Sequence, residues 1–311
     1  MRTWHRPLLV SAAIMLGLAV VVTVLLFVDP REVTGMPLWA KPLKFAVSIA
    51  IYCFTLAWLI SLLTVAKRLS WIAGTVAAAG VVVEMAVILG YAAVGDTSHF
   101  NVSTPLHTVL WGVMAVGISI VWVMTLLVGV ALFRSTLGDQ ARSVAIRAGV
   151  ILALVGMALA FLMSSPTAQQ LDDFQGIAGA HTVGLPDGGA GIPILGWSTE
   201  SGDLRIPHFI GMHGLQALPI VVIVLEALSR RWPRLLDSVR RLRLVWIAAA
   251  VYAAVVALVT VQALAGESIA HPSGLTLLAG SAIAVLAAGV SAAALLAPTK
   301  VSAESAALQP R

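Results

Sequence analysis

The stretch Leu8-Leu-Val-Ser-Ala-Ala-Ile-Met-Leu-Gly-Leu-Ala-Val-Val-Val-Thr-Val-Leu-Leu-Phe-Val28 carries no charged residue. A hydrocarbon core of about 30 Å needs about 20 residues of helix at a rise of about 1.5 Å each, and this run supplies them. Seven further runs follow, approximately Leu43 to Ala66, Trp71 to Val94, Pro105 to Phe133, Ser143 to Met163, Pro207 to Leu228, Arg243 to Leu264 and Ser273 to Ala297. The pattern predicts an all-α membrane protein of eight transmembrane helices, one integral membrane domain over residues 1–311. Composition agrees: 59% of residues are hydrophobic, 11% are charged and the mean hydropathy is +0.98, far more apolar than a soluble core requires. Arg2 and Arg6 precede the first run as they would in a signal peptide. The apolar stretch is too long for one, and Phe27-Val28-Asp29-Pro30 offers no small-residue cleavage site, so the run reads as a retained anchor.

Basic residues set the expected orientation, because cytoplasmic loops retain Lys and Arg. Arg2, Arg6, Lys67, Arg68, Arg134, Arg142, Arg147 and the arginines from Arg230 to Arg243 fall on one side, against Arg31, Lys41, Lys44 and Arg205 on the other. Both termini, with a tail over 298–311, are thus expected on the cytoplasmic side. The net charge of +5 comes from these loops. It argues for anionic lipid headgroups along the Arg230 to Arg243 loop and against nucleic acid. The lone Cys53 lies within an apolar run, so it forms no intrachain disulfide and reads as a small packing residue.

The outer side has the opposite character. Its longest loop, 164–206 between the fifth and sixth runs, contains Gly184-Leu-Pro-Asp-Gly-Gly-Ala-Gly-Ile-Pro193. Phe174, Ile177, Ile192, Ile194, Leu195 and Trp197 offer it apolar anchors, which predicts a folded cap over the outer mouth. Trp39, Trp71, Trp197 and Trp232 sit near expected interfaces, as indoles do. Two outer turns echo each other, Val94-Gly-Asp-Thr-Ser-His99 and Ala265-Gly-Glu-Ser-Ile-Ala-His271. They lie four runs apart, the spacing of a tandem pair of four-helix halves, 1–140 and 141–300.

His99, His107, His181, His208, His213 and His271 all fall at the outer edge, and only His5 lies opposite. Polar residues inside the runs are expensive in lipid and so mark function. Glu84, His213, Gln216 and Tyr52 lie about 9 to 15 Å below the outer boundary at the helical rise. Above them come Lys44, His107, His208 and Gln262, which together would line a polar well opening outward. The alternative is a hydrogen-bond network that locks helices together, with Glu84 neutral or paired with Lys44. The sixth run, Ile206-Pro-His-Phe-Ile-Gly-Met-His-Gly-Leu-Gln-Ala-Leu-Pro219, places Gly211, Gly214 and Ala217 on a small face for close helix approach. His208, Met212 and Gln216 share another stripe, His213 is rotated away from it by about 140°, and Pro219 should kink the helix.

Imidazoles facing each other across a bundle can ligate haem iron, and His/Met sets suit copper. His213 and His271 are the pair expected to hold haem b, with His208 and His107 as further ligands; for copper the set is His213, His271 and Met212. The architecture is similar to that of haem A synthase, an eight-span protein of two four-helix halves, although Lys41-Pro-Leu-Lys44 stands where that family carries an acidic motif. Ser103 and His107 match one element of membrane zinc hydrolases related to alkaline ceramidase, but His208 and His213 are spaced one residue too widely for the other. The segments Lys41-Pro-Leu-Lys-Phe45, Thr97-Ser-His-Phe-Asn-Val-Ser-Thr-Pro105, Gly196-Trp-Ser-Thr199 and Gly202 to Pro219 resemble those of a family of bacterial polytopic membrane proteins of unknown activity, common in high-GC actinobacteria. That likeness implies an inner-membrane location and transfers no catalytic residue. Three readings follow: an outward-facing haem or metal protein for redox or cofactor assembly, a carrier or receptor for a small solute, anions among the candidates, near Lys41, Lys44 and Arg205, and a structural membrane protein.

Overall fold

The computed structural model describes residues 4–297; the tail over 298–311 lies outside the described residues. The chain is mostly helical: α1 (Arg6–Val28), α2 (Ala40–Ser61), α3 (Lys67–Val94), α4 (Pro105–Phe133), α5 (Gln140–Ala158), a short α6 (Ala168–Asp172), α7 (Arg205–Met212), α8 (Gly214–Leu228), α9 (Ser238–Leu264) and α10 (Gly274–Leu296). Two antiparallel ribbons are the only strands among the described residues: β1 (Glu32–Val33) with β2 (Met36–Pro37), and β3 (Thr182–Val183) with β4 (Gly202–Asp203). Among the described residues seven helices are long and apolar enough to cross a membrane, and α7 with α8 makes an eighth when counted as one bent span. Helix starts follow the local chemistry. Thr104, Asp139 and Ser273 cap α4, α5 and α10 by accepting from backbone N–H groups of the first turn, and Pro105 opens α4 where a missing N–H does no harm.

Several boundaries differ from those the sequence predicts. The second run stops at Ser61 rather than Ala66, because Ala66 adopts a left-handed conformation (φ 51°) that starts α3. The sixth run is not one helix kinked at Pro219. It breaks at His213, where α7 and α8 meet at 43°, and Pro219 sits within a continuous α8. The proline ring acts on the Leu215 carbonyl, inside α8, whereas the break lies where Gly211 and Gly214 flank His213 and pack against α5. His5 is also far from idle. It is 2% exposed, caps α1 by accepting from Leu8 N–H at 3.3 Å, and pins that end to α3 through Nε2 and the Trp71 carbonyl at 2.8 Å.

Within the first four helices α1 packs on α2 and α3, α2 on α3, and α3 on α4. The same pairings recur later, with α5 packed on α7–α8 and α9, α7–α8 on α9, and α9 on α10. The two echoing turns have one hydrogen-bond pattern. Gly95 N–H donates to the Ala92 carbonyl and Asp96 N–H to that of Tyr91; Gly266 and Glu267 donate likewise to Ala263 and Gln262. Both glycines are left-handed, at φ 77° and 74°, as this helix ending requires.

The closest backbone approach between two helices joins α5 to the bent pair. A Cβ on Gly156 would lie 2.1 Å from the Met212 nitrogen, and one on Gly149 would lie 2.7 Å from the Gly214 carbonyl oxygen. Gly211 and Gly214 thus form the small face read from the sequence; their partners Gly149 and Gly156, two turns apart on α5, were not foreseen. We expect Gly156→Ala to force the helices apart and lose about 1–3 kcal/mol or more. Gly17, with nothing within 4 Å of its missing Cβ, is the control. Gly17→Ala should be neutral or gain about 0.5–1 kcal/mol. Thermal unfolding of the two variants in one detergent checks this, and an unchanged Gly156→Ala would mean the contact is looser than described.

Candidate functional site

The long loop folds, and it does so by satisfying buried polar groups. Asp203 is 1% exposed and accepts from Ser198 N–H at 2.8 Å, Arg205 N–H at 3.0 Å and Arg205 Nε at 2.9 Å, while the same guanidinium reaches the Gly196 carbonyl. Asp187 accepts from the His181 and Thr182 backbones, from Thr182 Oγ1 at 2.7 Å and from the His181 ring at 2.5 Å. Gln170 brackets Gly179, accepting from its N–H and donating to its carbonyl. Among the ties that dock this cap, Lys44 Nζ donates to the Leu195 carbonyl at 2.7 Å, Ser268 Oγ donates to the Ser198 carbonyl at 3.4 Å, and the Val102 and Ala178 N–H groups donate to the Gly176 and Phe100 carbonyls. Two expected anchors are absent from the docking face. Phe174 and Ile194 are both 56% exposed, because the polar stitches, rather than apolar burial, fix the backbone here.

Between cap and bundle lies a cavity of ≈ 720 Å³. Its floor is the start of α2 (Lys41, Lys44, Phe45), the end of α3 and the turn bearing His99; Asp187, His181 and Trp197 roof it, and Arg205 and Phe209 form one wall. The size suits a small molecule. Of the three Lys and Arg side chains that line it, Lys41 makes no hydrogen bond among the described residues, whereas Lys44 is held by Leu195 and Arg205 by Asp203 at 2.6 Å.

Beneath the floor sits Glu84, which turns inward as expected and is 5% exposed. Its Oε1 lies 3.7 Å from His99 Nε2, and its Oε2 accepts no hydrogen bond from the described residues. The expected pairing with Lys44 is replaced by two neighbours, His99 and the charge of Lys41. His99 is wedged among Phe45, Phe100 and Trp111, with Ser98 Oγ on its Nδ1 at 3.2 Å. Burial, reinforced by the neighbouring cation of Lys41, holds its pKa well below the ordinary histidine value, so the ring is neutral at pH 7. Burial likewise lowers His181, against its bond to Asp187. Asp187 itself stays ionised: burial opposes this, but the hydrogen bonds from His181 and Thr182 hold it below the usual carboxylate range.

The other residues expected in the well are dispersed. Tyr52 is buried in a bond to Thr125 Oγ1 at 2.8 Å, joining α2 to α4. His213 Nδ1 meets Gln216 Oε1 at 3.2 Å, and Gln216 Nε2 donates to Thr55 Oγ1 at 3.2 Å, a link from the helix break to α2. His208 Nδ1 bonds the Gly156 carbonyl at 2.8 Å, and Met212 ends α7. His107 lies outside the cavity, with Ser103 Oγ on Nδ1 at 2.7 Å and Asp96 3.6 Å from Nε2. Gln262 ties the α9–α10 turn through the Ser268 carbonyl, and His271 is exposed on that turn. Among the described residues no group of three or more His, Cys, Asp or Glu side chains is placed to hold a metal ion. His99 was read as one of the outer histidines, but its contact with Glu84 was missed by sequence reasoning. The available signal was the Gly95 turn, which folds the segment back over its own helix end.

No protein-family model, curated protein or solved structure matches the chain.

Neutral, buried histidines make stability fall with acid. A group whose folded pKa is depressed contributes stability that is present above its unfolded value, about 6.5 for histidine, and is lost as pH falls below it. The unfolding temperature should therefore drop between about pH 7.5 and 5.5, and the drop should shrink in His99→Gln. A pH profile unchanged by that substitution would place His99 in water.

Proposed function

We propose that the chain is an eight-span bacterial inner-membrane protein, with α7 and α8 forming one broken span, that binds a small solute in the outward-facing cavity beneath its cap, as a carrier or receptor does. The observation that carries this reading is the capped ≈ 720 Å³ cavity with the unpartnered Lys41 on its floor. Broken helices beside a polar site at the outer half of a bundle suit such a role. The recurring helix pairings and matched turns support two tandem halves. The basic side supports cytoplasmic termini, and the exposed Arg230, Arg231, Arg234 and Arg243, which make no side-chain hydrogen bond among the described residues, suit anionic headgroups there.

The solute reading is preferred to haem b or copper because His213 is engaged by Gln216 and His271 stands exposed on the α9–α10 turn. It is preferred to a purely structural role because such a protein has no need of a lined cavity with a free ammonium.

The test uses Cys53→Ala with Thr97→Cys, which places one thiol in the cavity. A membrane-impermeant maleimide applied to intact cells should label it, and a panel of organic anions, organic cations and sugars should contain a solute that slows the labelling. Labelling only after permeabilisation would overturn the orientation. A Soret band or stoichiometric copper in the purified protein, lost in His213→Ala, would restore the cofactor reading.

A further inference from the structure

Resting on the solute reading above, we propose that the solute is a small organic carboxylate whose anionic end docks on Lys41, and that its arrival is matched by one proton taken up at Glu84.

The cavity's charges are largely spent internally. Lys44 donates to the Leu195 carbonyl, Arg205 is locked to Asp203, and both carboxylate oxygens of Asp187 are occupied by His181 and Thr182. What remains is one ammonium, that of Lys41; the other lining carboxylates, Asp96 and Asp173, accept from the amides of Asn101 and Gln175. It asks for one anionic group. The surrounding walls ask for something organic attached to it, because Phe45, Ile88, Phe100, Trp197 and Phe209 present rings and apolar carbon to the same space. A small hydrated inorganic ion would leave these faces uncovered, whereas a carboxylate with an apolar body covers them and places its charge on the floor.

Proton uptake follows from Glu84. It is 5% exposed, one of its oxygens accepts no hydrogen bond among the described residues, and Lys41 supplies the counter-charge it feels. An incoming carboxylate takes over that counter-charge. A buried carboxylate deprived of a positive neighbour favours its protonated form. The charges balance: the pair Lys41 ammonium and Glu84 carboxylate becomes Lys41 ammonium, bound carboxylate and Glu84 carboxylic acid, and the site stays neutral. The groups facing this exchange are Lys41 and Lys44 from α2, His99 from the turn after α3, His181 and Asp187 from the cap, and Arg205 and His208 from α7. This cationic surround disfavours a charged His99, so the proton's resting place is the Glu84 oxygen, with His99 Nε2 beside it at 3.7 Å.

The experiment is isothermal titration of the purified full chain in nanodiscs with benzoate at about pH 7, in two buffers of different ionisation enthalpy, with benzamide as the neutral isostere. Benzoate should bind at least about tenfold more tightly than benzamide, with about one proton taken up per benzoate. Lys41→Gln should lose benzoate binding by about tenfold or more, with partial recovery in Lys41→Arg; Glu84→Gln should retain binding while proton uptake vanishes. Equal binding of benzamide, or proton uptake that survives Glu84→Gln, would overturn the proposal. If benzoate fails while another class of solute still protects the cavity thiol, the carboxylate assignment falls and the solute reading stands. If nothing protects it, both fall.

Discussion

A charged side chain inside an apolar slab must find either a counter-charge or water, and Lys41 and Glu84 on facing parts of α2 and α3 impose that demand on everything above them. On the lenient insertion scale an unprovided charge at mid-membrane costs about 2.5–3.5 kcal/mol. The fold answers with a polar cavity rather than a closed ion pair. The cap is what makes the cavity a bounded volume, and Asp187 and Asp203 are what make the cap a structure. Each carboxylate gathers backbone and side-chain donors that a loop rich in glycine would otherwise leave to solvent.

The position of the cavity wall depends on a contact that carries no polarity at all. Gly149 and Gly156 let α5 touch the backbone of α7 and α8, and that approach sets where Arg205, His208 and Phe209 stand. In lipid, where apolar side chains gain little from mutual burial, such close packing of small residues is the main source of helix association. The break at His213 belongs to the same arrangement. A straight helix could not keep Gly211 and Gly214 on α5 while Gln216 reaches Thr55 of α2.

The spans were legible because lipid imposes a one-dimensional rule on composition and length, and α4 was read to its observed ends at Pro105 and Phe133. The inward Glu84, the folded loop and the small face of Gly211 and Gly214 were legible for the same reason: each is a local violation of that rule. Lys41 and Arg205 were named beside the expected solute site. What stayed hidden depends on contacts between distant segments. The bend at His213 is fixed by glycines on another helix, Tyr52 and Gln262 look like well residues until Thr125 and Ser268 claim them, and His271 looks like a ligand until its turn is seen to face outward. His99 over Glu84 required knowing how the Gly95 turn folds back. Periodicity carries no information about that.

The most direct measurement is infrared difference spectroscopy of the membrane-reconstituted chain on addition and removal of benzoate, read in the region of the protonated carboxyl stretch. The account predicts a band that appears with the anion, shifts in heavy water and is absent from Glu84→Gln. A spectrum in which benzoate binds and no carboxyl becomes protonated, or in which the band persists without Glu84, would contradict it.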